Sequence, residues 1–528
     1  MMYEAETISE RIDDLALANP ERVCYETEEA LYSYGTLSLE SDRVAKWLCA
    51  HFSGREPILV FGGLEFQMIV CFIACVKTGH PYIPIDKHTP ISRLLEIIRV
   101  AKPICLFEGG STSLVDMDAD IKEQLPEIIS APFLASIRRG DDIENSEKSA
   151  ISPKPCRGSE DFYTIFTSGT TGGLKKAPKG VRICHDNLVT FTDWIGMDFG
   201  INNGAKWLLQ APFSFDLSVM SLYPALLTGG SLVPIHRETV DNFQALYACL
   251  PKLGVEIWVS TPSFVDLCLL NEEFSEESNP EIRHFLFCGE ELLRSTALKL
   301  TERFPSAKIY NLYGPTEATV AVTEVLITPE LLKEENRLPV GRPKRATKMV
   351  ILGEDDLPCA EGDIGEIAIV GSSVANGYLN NPEATDAAFF EYEGFPAYRT
   401  GDAGNFGSDG NLYFKGRLDF QIKLNGYRIE LEDVDHYLNE LPSVNAAATV
   451  AVYQDGKVQS LTAFIVASED LPQDSLARTK AIRSQMRGRV MDYMIPRKFV
   501  FVEHLPLTQN GKVNRKKLME EVNKCNFR

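Results

Sequence analysis

Four short stretches carry residue types suited to holding an anionic small molecule. Phe162–Val181 reads FYTIFTSGTTGGLKKAPKGV: an apolar strand enters Thr167, Ser168, Gly169, Thr170, Thr171 and Gly172, and a basic run ends at Lys179. Hydroxyls and backbone N–H groups in such a turn converge on phosphate oxygens, with lysine as counter-charge. The spacing is not that of a Walker A loop, and a plain Gly/Thr surface turn accounts for the composition equally well. Asn311–Thr323, NLYGPTEATVAVT, follows a strand candidate at Lys308–Tyr310. It offers an aromatic face at Tyr313, a rigid turn at Gly314-Pro315 and, at Glu317, a hard oxygen ligand of the kind Mg²⁺ takes. In Tyr398–Asp402, YRTGD, the aspartate follows a glycine turn; a carboxylate there accepts from ribose hydroxyls or simply caps its own turn. Pro506–Leu518, PLTQNGKVNRKKL, sets Lys512 beside an Asn-Gly turn, where most lysines are exposed hairpin residues.

The elements that must position these residues alternate. Thr36–Cys49 has helical spacing, Pro57–Phe61 is a strand candidate, and Phe66–Lys77 is an apolar helix. Tyr82–Ile85 is again a strand, and Ser92–Val100 again a helix. Strand–helix alternation predicts parallel sheets covered by helices, an α/β fold. The polar run Arg138–Asp161 reads as a surface linker within one large unit. After about Asn405 the pattern changes to a turn and strand, SDGNLYF, and then to a compact α+β segment. A boundary near Arg417 divides the chain into a large N-terminal domain, 1–417, and a small C-terminal domain, 418–528.

Composition narrows the function classes. The 528 residues carry 53 Lys+Arg against 74 Asp+Glu, a formal net charge of −21, which argues against a nucleic-acid or anionic-membrane surface. The longest uninterrupted apolar stretch, Met68–Val76, is far short of the roughly 20 residues that span a bilayer. The acidic N-terminus lacks the pattern of a secretory signal, and the cysteines form no C-x-x-C pair, so a reducing cytoplasm is expected. The histidines show no metal-binding spacing.

Taken in order and together, the motifs resemble those of the adenylate-forming ligases, the superfamily of peptide-synthetase adenylation domains, acyl-CoA synthetases and luciferases. The likeness covers nearly the whole chain: YIPID from Tyr82, TSGTTG, NLYGPTE, GEIAIVGSSVANGYLN from Gly365, YRTGD, GRLDFQIKLNGYRIELEDVD from Gly416, and PLTQNGKVNRKKL. Within the superfamily the chain is most similar to the branch that activates D-alanine and loads it on a carrier protein for D-alanylation of teichoic acids. APFSFDLSVMSLYP from Ala211, IWVSTPSFVDLC from Ile257, FLFCGEEL from Phe285 and EATVAVT from Glu317 carry that likeness. One departure is the five residues Gly173–Ala177 between Gly172 and Pro178, where the family commonly has one. They put the place of Lys179 in doubt, and Lys175 or Lys176 shares its task on that reading.

The resemblance implies a large domain of helix-covered sheets, a small mobile C-terminal domain, and ATP with Mg²⁺. It assigns the phosphates to Thr167–Gly172 and Lys179, and Mg²⁺ to Glu317. The nucleoside falls to Asn311, Leu312, Tyr313, Gly314, Pro315 and Thr316, to Asp402, and to Phe414, Lys415, Gly416 and Arg417. Lys512 bridges the carboxylate and α-phosphate, and Asp419 is the hinge. Asp216 pairs with the substrate ammonium, with Leu217, Met220, Leu286, Cys288, Leu312 and Val320 as an apolar wall; an exposed or helix-capping Asp and a plain core Cys are the bland alternatives. Partners implied are a small amino acid and a separate phosphopantetheinylated carrier protein, since only ten residues follow Leu518. The basic run Arg478, Lys480, Arg483, Arg487 and Arg489 is expected on a helix that either docks that carrier or is merely solvated. A peptide-synthetase-type enzyme for another small amino acid is the alternative.

Overall fold

The computed structural model describes residues 7–110, 114, 126–140, 154–170, 178–333, 337–418, 421–454, 457–468, 474–506 and 513–523. They divide into two compact units: 1–87, 98–166 and 180–416 form the first, and 88–97, 167–179 and 417–528 the second.

Among the described residues the first unit is built on three sheets. Glu127–Ile129, Cys105–Glu108, Ile58–Gly62, Tyr82–Asp86, Asp161–Thr170 and Pro178–Cys184 lie side by side in that order, with parallel pairing from Glu127–Ile129 through to Asp161–Thr170. Ile58–Gly62 is buried at every position, the continuous apolar run expected of a strand covered on both faces. Helix Phe66–Lys77 is buried at every position but Gln67, including Cys71 and Cys75, and coincides with its predicted span. Helix Tyr34–His51 starts at Ser33, whose hydroxyl accepts from the Thr36 N–H. The second sheet runs Arg342–Pro343, Thr323–Leu326, Lys308–Tyr313, His284–Phe287, Ile257–Ser260, Lys206–Leu209, Ser231–Pro234, Val23–Glu26, Leu31–Ser33. Its middle strands are parallel, and an antiparallel pair, Tyr313 opposite Thr323, closes one side. The third is antiparallel and contains Gly365–Gly371, Phe395–Phe406 and Leu412–Arg417.

The second unit carries a hairpin, Gln421–Leu424 with Tyr427–Glu430, and a three-stranded sheet of Val444–Gln454, Lys457–Ala467 and Lys498–Phe501. The hairpin turns on Asn425 and Gly426, with φ of 52° and 83°. Both central residues of a two-residue turn of this kind need positive φ, which Asn and Gly adopt most readily. Helices Leu431–Asn439 and Ser475–Met486 pack Leu431, Val434, Leu438, Ile482 and Met486 into one core with the sheet. Among the described residues no helix is long and apolar enough to cross a membrane.

Candidate active site

Asn311, Leu312 and Tyr313 stand at the end of strand Lys308–Tyr313, which runs three residues beyond its predicted extent, and all are buried. The Asn311 amide donates to the Pro339 carbonyl at 2.8 Å. Chain reversal follows at Gly314, where a Cβ would stand 2.6 Å from the Ala321 Cα and 3.0 Å from the Val320 oxygen. Only glycine lets the returning segment lie that close. Thr316 and Glu317 form a short 3-10 turn, and Thr319 and Val320 then take φ of 60° and 70°. Two β-branched residues in the left-handed region cost about 1–3 kcal/mol each, so the surroundings must fix them. They do: the Val322 N–H donates to the Tyr313 carbonyl at 2.8 Å, and the Thr319 hydroxyl to the Ser373 carbonyl at 2.8 Å.

Glu317 is fully buried. Its Oε1 accepts from the Tyr378 hydroxyl at 2.8 Å, and its carbonyl from the Ala375 N–H at 2.9 Å. The loop bearing these donors is fastened by Asn187, whose amide donates to the carbonyls of Ser372 and Val374. Tyr378 belongs to the GSSVANGYLN motif, yet it reaches back 61 positions, and no local spacing reveals such a partner. Asp402 is buried in strand Phe395–Phe406, and its Oδ2 accepts from the Tyr313 hydroxyl at 2.5 Å. The residues predicted to frame the base and hold the ribose are thus joined directly. The Phe414 ring lies 6.2 Å from that of Tyr313 and under the Arg337 guanidinium, 5.7 Å away. Lys415, Gly416 and Arg417 complete strand Leu412–Arg417.

Asp216 occupies the N-cap position of helix Leu217–Leu227, is 6% exposed, and makes no side-chain cap bond. Neither bland alternative holds, since the residue is not exposed and its carboxylate does not cap the helix. Leu217, Met220, Leu286, Cys288, Leu312 and Val320 are all buried and belong to one packed cluster. The Cys288 thiol lies 3.7 Å from the Val320 carbonyl oxygen.

In the phosphate-loop motif, strand Asp161–Thr170 carries the backbone through Thr167, Ser168, Gly169 and Thr170, so these four are extended rather than in the turn expected of them. β-Branched threonines favour extended backbone. Thr171, Gly172 and the added residues Gly173–Ala177 lie outside the described residues. Thr167 is buried, its carbonyl accepts from Arg93 at 2.8 Å, and its hydroxyl has no hydrogen-bond partner among the described residues. Lys179 is buried in strand Pro178–Cys184. Asp419 and Lys512 lie outside the described residues.

Within the first unit, Tyr313, Glu317 and Asp402 have the chemistry that a nucleotide and its metal ion require, and Thr167 of the second unit has that of a phosphate contact. The unsatisfied Thr167 hydroxyl suits a phosphate oxygen, because a buried polar atom is costly without a partner. Among the described residues no cluster of three or more His, Cys, Asp or Glu could hold a metal by itself. One buried carboxylate with phosphate oxygens is the arrangement Mg²⁺ takes with nucleotides.

The fold and these residues define the class of adenylate-forming, AMP-binding enzymes. The AMP-binding enzyme family matches residues 12–379 and the AMP-binding enzyme C-terminal domain matches 433–512. In shape the chain is similar to the amide bond synthetase McbA from Marinactinospora thermotolerans (TM-score 0.80, 21% identity, 98% of this chain and all of that one). It is also similar to PA1221, an NRPS protein containing adenylation and PCP domains (TM-score 0.79, 24% identity, 99% of this chain and 85% of that one). Proteins named D-alanine--D-alanyl carrier protein ligase are much nearer in sequence. That of Lacticaseibacillus casei is 44% identical over 513 residues, covering 97% of this chain and 98% of the relative. That of Bacillus licheniformis is 43% identical, with 97% and 99% covered, and that of Listeria monocytogenes 42%, with 98% and 99%. The chain belongs to the D-alanine–D-alanyl carrier protein ligase family of AMP-binding enzymes.

Proposed function

We propose that the protein activates D-alanine as its adenylate and transfers the D-alanyl group to the phosphopantetheine thiol of a carrier protein, supplying D-alanine for teichoic acids from the cytoplasm. The observation that carries this reading is the buried Asp216 at the head of an all-apolar cluster that includes Cys288. A carboxylate buried this deeply is stabilised in its ionised form by a cation lying against it. The α-ammonium of an amino acid provides one, whereas a fatty acid does not. The wall residues bring no second charge, which leaves room for a small uncharged side chain.

In the first step a carboxylate oxygen of D-alanine attacks the α-phosphorus of ATP. A C–O–P link forms, the α–β bridge bond breaks, and pyrophosphate leaves. Both reactants are anions, so the site contributes alignment and positive charge more than proton transfer. Thr167 with Ser168–Gly172 and Lys179 holds phosphate oxygens. Asn311–Thr316, Phe414 and Lys415–Arg417 enclose the nucleoside, and Asp402, oriented by Tyr313, accepts from the ribose hydroxyls. Glu317, oriented by Tyr378, is the protein's ligand to Mg²⁺, which when bound neutralises phosphate charge. Lys512 spans the attacking carboxylate and the α-phosphate. In the second step the carrier's thiol, giving its proton to solvent, attacks the adenylate carbonyl, a C–S bond forms, the acyl C–O bond breaks, and AMP leaves with that oxygen; rotation about Asp419 exchanges Lys512 for the thiol.

Amino-acid-dependent ATP–pyrophosphate exchange tests the reading. D-Alanine is expected to drive exchange far above L-alanine, glycine, D-serine or a short fatty acid, and equal exchange with another amino acid would overturn the D-alanine assignment.

For the carrier surface, the basic run needs dividing. Arg483 is committed internally, donating to the Arg497 carbonyl at 2.8 Å and lying over the Phe499 ring. Lys480, Arg487 and Arg489 are exposed. Reversing the charge of Lys480 and Arg487 is expected to raise the KM for carrier several-fold, most at low salt, with exchange unchanged. An unaltered KM for carrier would remove this helix from the docking face.

A further inference from the structure

The Thr167 carbonyl is held by a side chain that the chemistry above does not use. Arg93, on helix Ile91–Ala101, donates through Nη2 to that carbonyl at 2.8 Å and through Nη1 to Glu96 Oε2, one turn along the same helix, at 3.1 Å. The Tyr437 hydroxyl, on helix Leu431–Asn439, lies 3.3 and 3.4 Å from the two Glu96 oxygens. Thr167, Arg93, Glu96 and Tyr437 thus stand in line, all four within the second unit. With the Arg93 side chain only 14% exposed, its bonds are shielded from water and keep more of their strength than surface pairs do. A planar guanidinium gripped at both terminal nitrogens cannot swivel, so its hold on the carbonyl has a fixed direction.

That direction matters because of what shares the peptide. A carbonyl and the N–H that follows it lie in one rigid plane and point opposite ways. Fixing the Thr167 carbonyl therefore fixes where the Ser168 N–H points. It also fixes the backbone from which the orphan Thr167 hydroxyl projects. A hydroxyl and an N–H held in this way are the two kinds of donor that a phosphate oxygen accepts from. Arg93 itself has both terminal nitrogens engaged, one by Thr167 and one by Glu96. Its effect on a bound nucleotide therefore runs through the strand and not through a contact of its own.

We propose that Arg93 is a positioning residue: steered by Glu96, it sets the Thr167 peptide so that the Thr167 hydroxyl and the Ser168 N–H meet the phosphates that leave as pyrophosphate. The inference rests on the reading that Thr167 holds phosphate. Arg93→Met keeps the reach of the side chain and removes its fork. In D-alanine-dependent exchange it is expected to raise the KM for ATP and for pyrophosphate about tenfold, the scale of one hydrogen bond to a charged group, while the KM for D-alanine and the affinity for AMP stay within about twofold. A tether that only held the fold together would move all four alike. Arg93→Lys keeps the charge but cannot grip Glu96 and Thr167 in one plane, so its KM for pyrophosphate should fall between those of the wild type and Arg93→Met. Equal changes in all four quantities, or an unaltered KM for pyrophosphate in both variants, would overturn the proposal. Thr167→Val, which removes the hydroxyl at nearly constant size, checks the reading beneath it. An unaltered KM for ATP and pyrophosphate in that variant removes Thr167 from phosphate binding and the proposal with it. A raised KM there beside a normal Arg93→Met keeps the phosphate reading and overturns the positioning role alone. In the double variant the loss should be smaller than the product of the two single losses, because Arg93 acts through Thr167; a full product would show the two acting independently and would also overturn the proposal.

Discussion

Lys512→Ala is expected to lower D-alanine-dependent ATP–pyrophosphate exchange about a hundred- to a thousandfold, the scale for removing one preorganised transition-state donor, while ATP affinity changes only a few-fold. The reason is electrostatic. The attacking carboxylate and the α-phosphate are both negative, and charge builds at their junction as the C–O–P link forms. A lysine bridging them acts where the two anions meet, so its contribution is larger in the transition state than in the ATP complex. Thioester formation from preformed D-alanyl adenylate should survive, because no second anion approaches in that step. Exchange, equilibrium ATP binding and single-turnover transfer from the adenylate, measured on one preparation, separate these terms. Near-normal exchange would remove Lys512 from the first step.

What was legible in the sequence is what depends on near neighbours. Helix Phe66–Lys77 and strand Tyr82–Asp86 follow from short-range periodicity and turn residues, and the structure shows them within a residue of their predicted bounds. The motif residues Asn311, Tyr313, Glu317 and Asp402 each stand out from their own short stretch of sequence. Their connections do not. Tyr313 meets Asp402 across 89 positions and Tyr378 meets Glu317 across 61, and only the tertiary fold of the first unit brings such pairs together. The left-handed Thr319 and Val320 were illegible for another reason: β-branched residues argue locally against positive φ, and tertiary contacts overrule them. Arg483 and Arg93 show the same limit in reverse. Composition places the first on a solvated basic face and leaves the second unremarked, but Arg483 is an internal clasp and Arg93 holds the Thr167 carbonyl.

Asp216→Asn is expected to raise the KM for D-alanine about two hundred- to several thousandfold, in line with about 3–5 kcal/mol for removing one partner of a buried ion pair. The KM for ATP should be unaffected, since no nucleotide contact is assigned to this residue. The substitution keeps size and hydrogen-bonding shape and removes only charge, and the fold provides an internal control. Asp216 sits at the N-cap of helix Leu217–Leu227 without using its side chain as the cap. The usual cost of about 1 kcal/mol for losing a cap therefore does not apply, and Tm measured beside KM reports any other cost to the fold. A lowered affinity with an unchanged Tm is then a statement about the ammonium, not about folding. D-Lactate sharpens the test, because it replaces the ammonium with a hydroxyl. The wild type should strongly prefer D-alanine over D-lactate, whereas the Asp216→Asn enzyme, with no charge to satisfy, should lose most of that preference. If the preference survives the substitution, the ammonium is held by another group, and the apolar cluster around Cys288 and Val320 selects its substrate by shape alone.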